Sequence, residues 1–201
     1  MSECRSIVEA MPPKALVTPL VEPIRVGPDL RLDPVETSQA QSIFDLVDAD
    51  RARLDARLPW VAGTLTVADT LAFIEGSMER TRRDGDGDWA IVTASEGRSE
   101  IAGVIGLHTF QPDRHRTAIG YWISGRHEGH GLVTRSVAAI VDHLFRMGIH
   151  RAEIHVAVDN LRSRAIAGRV GFQFEGVSRE AEWLHGEPVD LAIHARLSSD
   201  E

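Results

Sequence analysis

The chain has 201 residues, with 22 basic against 30 acidic side chains, a net charge of −8 and one cysteine, Cys4. One cysteine excludes an intrachain disulfide and a cysteine-rich zinc centre, and the acidic balance argues against a nucleic-acid surface, which needs a basic field. No stretch approaches the roughly 20 apolar residues that span a bilayer, and residues 1–27 lack a basic segment followed by an apolar one, so a reducing, cytoplasmic setting is expected.

Residues 1–27, with prolines at 12, 13, 19 and 23, read as an irregular N-terminal arm, and residues 28–201 as a single domain without repeats or a long linker. Leu30, Leu32 and Pro34 open a short strand. Thr37 or Ser38 can cap a helix whose apolar stripe is Ile43, Phe44, Leu46 and Val47. A second helix spans 67–83, with Leu71, Phe73, Ile74 and Met78 inward, and Asp84-Gly85-Asp86-Gly87 is a turn. Strands at 89–94 and 101–110 make a hairpin, and another strand follows at 117–123. Residues 129–147 read as a long helix, with Val133, Val137, Ile140, Val141 and Leu144 at helical spacing and Gly148 as its stop. Ala152, Ile154, Val156 and Val158 mark a strand, 160–170 a helix closed by Gly171, and 172–176 the start of another strand. Val189, Leu191, Ile193, Ala195 and Leu197 alternate in the last one. The order predicts an α/β fold with a sheet of mixed direction.

Residues 120–134 hold the most informative stretch. An apolar strand enters a turn with Gly125, Gly129 and Gly131, and a helix leaves it. Free N–H groups at a helix start, approached closely through glycine, suit a phosphate. A tight strand–helix turn would also use glycines. Residues 112–151 are the one basic stretch, with six basic and three acidic side chains. A Walker loop is excluded because Leu132 follows Gly131, and a dinucleotide fingerprint because Thr134 replaces its third glycine. His127 and His130 are one residue too close for a His-Glu-x-x-His zinc helix, so no metal site is expected.

From about Leu30 to Leu197 the chain resembles the GNAT superfamily of N-acetyltransferases, in particular its RimJ/RimL-type branch. One register of the superfamily turn matches Glu128, Gly129, Gly131 and Val133, with Glu128 in place of Gln or Arg and Val133 in place of Gly or Ala. A second matches Arg126-x-x-Gly129-x-Gly131, two residues earlier. Asp159-Asn160-x-x-Ser163, then Gly171-Phe172-x-x-Glu175-Gly176, then Ala181-Glu182-Trp183-Leu184, resemble the branch in the same order. The resemblance implies a three-layer fold with a mostly antiparallel sheet of about seven strands, splayed into a V between the fourth and fifth. It implies acetyl-CoA in that V, held by Trp122, Ile123, Arg126, Gly129, His130, Gly131, Leu132, Val133, Asn160 and Ser163, with Glu128 pointing away from the pyrophosphate. It further implies direct attack by an amine, Glu182 as base and Ser163 as proton donor to the thiolate. Trp60, Phe73, Trp89 and Trp183 are candidate walls of the acceptor site. The acceptor would be a protein N-terminal amine of ribosomal-protein type or a small-molecule amine; an acyl-CoA sensor without turnover is a further reading. A homodimer is expected from such relatives.

Overall fold

The computed structural model describes residues 21–95 and 97–200. Among these, the strands are β1 (Ile24–Arg25), β2 (Leu30–Pro34), β3 (Asp88–Ser95), β4 (Arg98–Gln111), β5 (Arg116–Ile123), β6 (Arg151–Ala157), β7 (Gln173–Leu184) and β8 (Glu187–Leu197). The helices are α1 (Ala40–Ala49), α2 (Arg51–Asp55), α3 (Val67–Arg83), α4 (Leu132–Arg146) and α5 (Leu161–Arg169). One sheet runs in the order β1-β2-β3-β4-β5-β6-β8-β7. It is antiparallel except where β5 meets β6.

Alternation along each strand sorts the two faces. Trp89 and Ile91 of β3 join Ile105, Ile119 and the α4 residues Val137, Ile140 and Leu144 in the larger core. Ala90, Val92 and Val104 point the other way and pack against Ile43 of α1 and Ile74 of α3. The result is three layers: α4 and α5, the sheet, then α1 to α3.

Trp89 is fully buried and donates through Nε1 to the carbonyl of Glu22 at 2.8 Å. Trp89→Ala should therefore cost about 3–5 kcal/mol, read as a lower urea midpoint. A loss below about 1 kcal/mol would contradict this packing role.

Some elements differ from the sequence reading, each for a local reason. The sheet has an eighth strand, β1, within the stretch read as an arm, and Val21 and Ile24 are buried in the larger core. Residues 1–20 of that arm, with Cys4, lie outside the described residues. The cap before α1 is Glu36, whose N–H donates to Gln39 Oε1 at 3.0 Å, and a 3-10 turn leads into the helix. α4 starts at Leu132, not at 129, because Gly129 and Gly131 take φ of 82° and 70°, which a right-handed helix cannot continue. Phe73 of α3 is exposed, not inward. β7 runs on to Leu184 as the partner of β8.

The V has a simple origin in the register. β5 and β6 pair only at Arg116↔Arg151, Thr117↔Ala152 and Ala118↔Glu153. β5 then continues to Ile123 and β6 to Ala157 without pairing to each other. Because β1 adds a strand, the gap falls between the fifth and sixth strands in chain order. The β7–β8 hairpin closes one side of it: His185, at the turn, hydrogen-bonds through Nε2 to the carbonyl of Asp55 on α2 at 2.9 Å.

Candidate active site

The gap between β5 and β6 opens into a cavity of about 1010 Å³. Its walls come from α1, the α2–α3 connection, the free edges of β5 and β6, the start of α5 and the β7–β8 hairpin. Asn160, Ser163, Glu182, Trp122, Trp60 and Phe73 all line it. Six of the residues picked from sequence are thus brought to one place, from five separate stretches of chain.

Ser163 is set by its helix cap. Asn160 Oδ1 accepts the Ser163 N–H at 3.2 Å, which fixes the first turn of α5. Ser163 Oγ then lies 2.7 Å from the hydroxyl of Tyr121, whose ring leaves β5 on the α5 side. Burial pushes the Tyr121 phenol above its ordinary value, against the opposing effect of the Ser163 bond. The phenol keeps its proton at neutral pH, and a phenol is a stronger hydrogen-bond donor than an aliphatic hydroxyl. With Tyr121 donating to Ser163 Oγ, the serine's own proton is free to point into the cleft. The sequence alone placed Tyr121 only within the strand at 117–123. Its signal was its parity: Tyr121 and Trp122 face opposite sides of β5.

The glycine turn sits at the far end of β5, beyond a 3-10 turn at Gly125–His127. A Cβ on Gly129 or Gly131 would meet nothing within 4 Å, so the backbone there faces open space. Gly131 caps α4, whose first N–H groups have no acceptor within the helix. Leu132 and Val133 bury their side chains in the core, while His130 is exposed. Glu128 is drawn aside: its carboxylate accepts from Arg53 at 2.7 Å and from Arg162. Arg53 also donates to the carbonyl of Ile123 at 2.7 Å, tying α2 to the end of β5. Asp50 accepts the Gly125 N–H and an Arg53 N–H. Burial alone would raise its carboxyl, but these bonds hold it below the ordinary value.

Three of the residues expected at the site fall elsewhere. Arg126 pairs with Glu100 at 3.0 Å, beside a separate shallow depression, so its charge is engaged away from the cradle. Trp89 belongs to the core under α4, because odd positions of β3 face away from the cleft. Trp183 is 64% exposed and falls on the opposite face of β7 from Glu182. Of the aromatic set, Trp60 and Phe73 line the cleft, and Trp60 packs on Trp122 at 6.0 Å between ring centroids.

The cleft also holds polar groups that sequence reasoning missed. Asp88 and His108 line it, and so does Thr70, a buried residue whose Oγ1 is without a hydrogen-bond partner among the described residues. Asp88 accepts from Arg80 at 2.6 Å. Burial raises its carboxyl despite Ser77 and Arg80.

Residues 29–173 match the profile of the acetyltransferase (GNAT) domain family. The ribosomal-protein-serine acetyltransferase of Escherichia coli (strain K12) is 27% identical over 179 residues, covering 89% of this chain and 98% of that protein. A solved structure of RimL, ribosomal L7/L12 alpha-N-protein acetyltransferase in complex with coenzyme A, superposes with a TM-score of 0.83 at 29% identity, covering 90% of this chain and all of that one. The microcin C7 self-immunity acetyltransferase MccE, solved with acetyl-CoA and AMP, gives 0.82 at 26% identity over 91% of this chain and 98% of its own.

Proposed function

Because the chain belongs to the GNAT acetyltransferase family, we propose that it transfers an acetyl group from acetyl-CoA to the N-terminal amine of a protein of ribosomal type. The observation that carries this is the Tyr121–Ser163 pair set in the gap between β5 and β6. The pyrophosphate lies on the N–H groups around Gly129 to Val133, and the pantetheine arm lies along the unpaired edge of β5 near Trp122 and Ile123. Asn160 positions the start of α5, and Ser163 gives a hydrogen bond, then a proton, to the departing thiolate. Glu182, on the cleft wall, draws in the cationic acceptor and passes its proton to solvent. Trp60 and Phe73 form the apolar walls of the acceptor site. Acetyl-CoA and a ribosomal acceptor meet in the cytoplasm, and the reading places the enzyme there. Homodimerisation is part of the same reading: β7 is the sheet's edge and exposes Phe174, Val177 and Trp183. Light scattering at micromolar concentration should give twice the chain mass, and a monomer would sink it.

That MccE was solved in complex with both acetyl-CoA and AMP supports a second reading, a small-molecule amine as acceptor. Incubation with acetyl-CoA and two panels, ribosomal-protein N-terminal peptides and small amines, separates the two by thiol release and product mass. Thiol release with peptides is the expected result. Binding of acetyl-CoA without release on any acceptor would mark the chain as a sensor.

A further inference from the structure

The acceptor face of β5 carries a side chain that the reading above leaves without a role. Paired residues across a sheet point to the same face, so Asp88, Gly106 and Gly120, which pair in one row across β3, β4 and β5, share the face that α1 and α3 cover. His108 follows Gly106 by two residues and projects to that face as well. Its ring lies down on Gly120: a Cβ there would stand 2.4 Å from His108 Nε2. Asp88 does the same on Gly106, where a Cβ would stand 1.8 Å from its Oδ1. The two glycines thus make room for two polar side chains to lie flat, side by side, on the floor of an otherwise apolar wall.

The backbone is bent to achieve this. The β4–β5 register breaks between His108 and Gln111, and Thr109 takes a φ of 47°, which is unusual for a β-branched residue. A bulge of this kind re-aims a neighbouring side chain and is common beside active sites. His155, the other histidine lining the cleft, is already engaged, with its Nε2 2.7 Å from Glu153 Oε2. His108 has no such partner ring-side among the described residues, and it is exposed to the cleft.

We infer that His108 is the catalytic residue that takes the proton from the attacking amine, ahead of Glu182. The inference rests on the acetyl-transfer reading. In acyl transfer the amine adds to one face of the thioester carbonyl and the tetrahedral adduct then expels the thiolate, so the attacking nitrogen and the departing sulfur each need their own proton carrier. Consecutive residues of β5 adjoin those two carriers. Tyr121 reaches Ser163 on the α5 side, and Gly120 carries His108 on the α1–α3 side. The N–C bond forms while the carbonyl electron pair moves to oxygen, and the C–S bond breaks as that pair re-forms the carbonyl. The amine's proton goes to the His108 imidazole, and the sulfur gains one from the Ser163 side. The two transfers cancel, so no further reactant is needed. Asp88 lies beside His108 on the same face, and Arg80 holds Asp88 in place. Glu182 then carries the proton outward.

The test is His108→Ala, first checked for the parent's melting temperature and acetyl-CoA Kd, and assayed with the best peptide acceptor of the wild type. Failure of the wild type to release thiol on any acceptor would count against acetyl transfer itself, separately from His108. With an active wild type, kcat in the variant should drop about a hundredfold, the low end for a lost general base. Added imidazole should fill the space left over Gly120 and restore much of it. Glu182→Gln should gain nothing from imidazole. An unchanged kcat overturns the proposal. So does a drop that imidazole leaves as it was, because His108 would then serve only to seat the acceptor.

Discussion

Gly131→Asp is expected to abolish acetyl-CoA binding in a protein that still folds. The fold should tolerate the change for three reasons. A Cβ at Gly131 meets nothing within 4 Å. Aspartate accepts left-handed backbone better than most residues, at φ 70° here. It is also a favoured residue at a helix start. Yet it sets a negative charge on the N–H groups that the pyrophosphate needs, and it competes for them. At a hundredfold excess of acetyl-CoA over Kd, the wild type should gain about 2.7 kcal/mol of stability. If Kd rises a hundredfold in the variant, the gain at the same concentration falls to about 0.4 kcal/mol. Thermal melts with and without acetyl-CoA read this directly. Gly131→Asn has nearly the same shape without the charge and should retain more of the gain. Equal protection in Gly131→Asp and wild type would move the pyrophosphate away from this turn.

Ser163→Ala should lower kcat by about a hundredfold and leave acetyl-CoA affinity close to normal. Tyr121→Phe should lower it by about three- to tenfold, the worth of one net hydrogen bond. Because Tyr121 acts through Ser163, the double variant should be no slower than Ser163→Ala alone. The nature of the leaving group supplies a second readout. A more acidic thiol leaves without help, so both defects should shrink with an acetyl thioester of such a thiol. Additive losses in the double variant would show that Tyr121 supports the fold of the cleft and does not aim the Ser163 hydroxyl.

The fold was legible where local chemistry dominates. The helix ending at Gly148, the alternation in β8 and the Asn160 cap of α5 all follow from short-range rules, and each stands in the structure. Motif order also placed Asn160, Ser163 and Glu182 around one cleft. What failed depends on parity and pairing between distant strands. Trp89 looked like an acceptor wall because it is large and aromatic. One step of alternation put it in the core, and put its neighbours Asp88 and Ala90 on the other face. Arg126 fitted a signature letter, but Glu100, on a strand 26 residues earlier, holds its side chain. His108 and Asp88 gave no motif at all. Their nearness depends on Gly106, opposite Asp88, and on Gly120, diagonal to His108, which only the register reveals.

The gap between β5 and β6 is a slot cut through the whole sheet, and this sets the traffic of the two substrates. In the proposed reaction the cofactor comes in past α4 and α5, and the acceptor past α2 and the β7–β8 hairpin. Neither has to leave before the other arrives, so kinetics should show intersecting lines of a sequential scheme and not the parallel lines of ping-pong turnover. Each product can also withdraw the way its parent entered. A covalent conjugate of coenzyme A and an acceptor peptide would thread the slot from side to side. It should bind far more tightly than either half, because one molecule then collects the contacts of both faces.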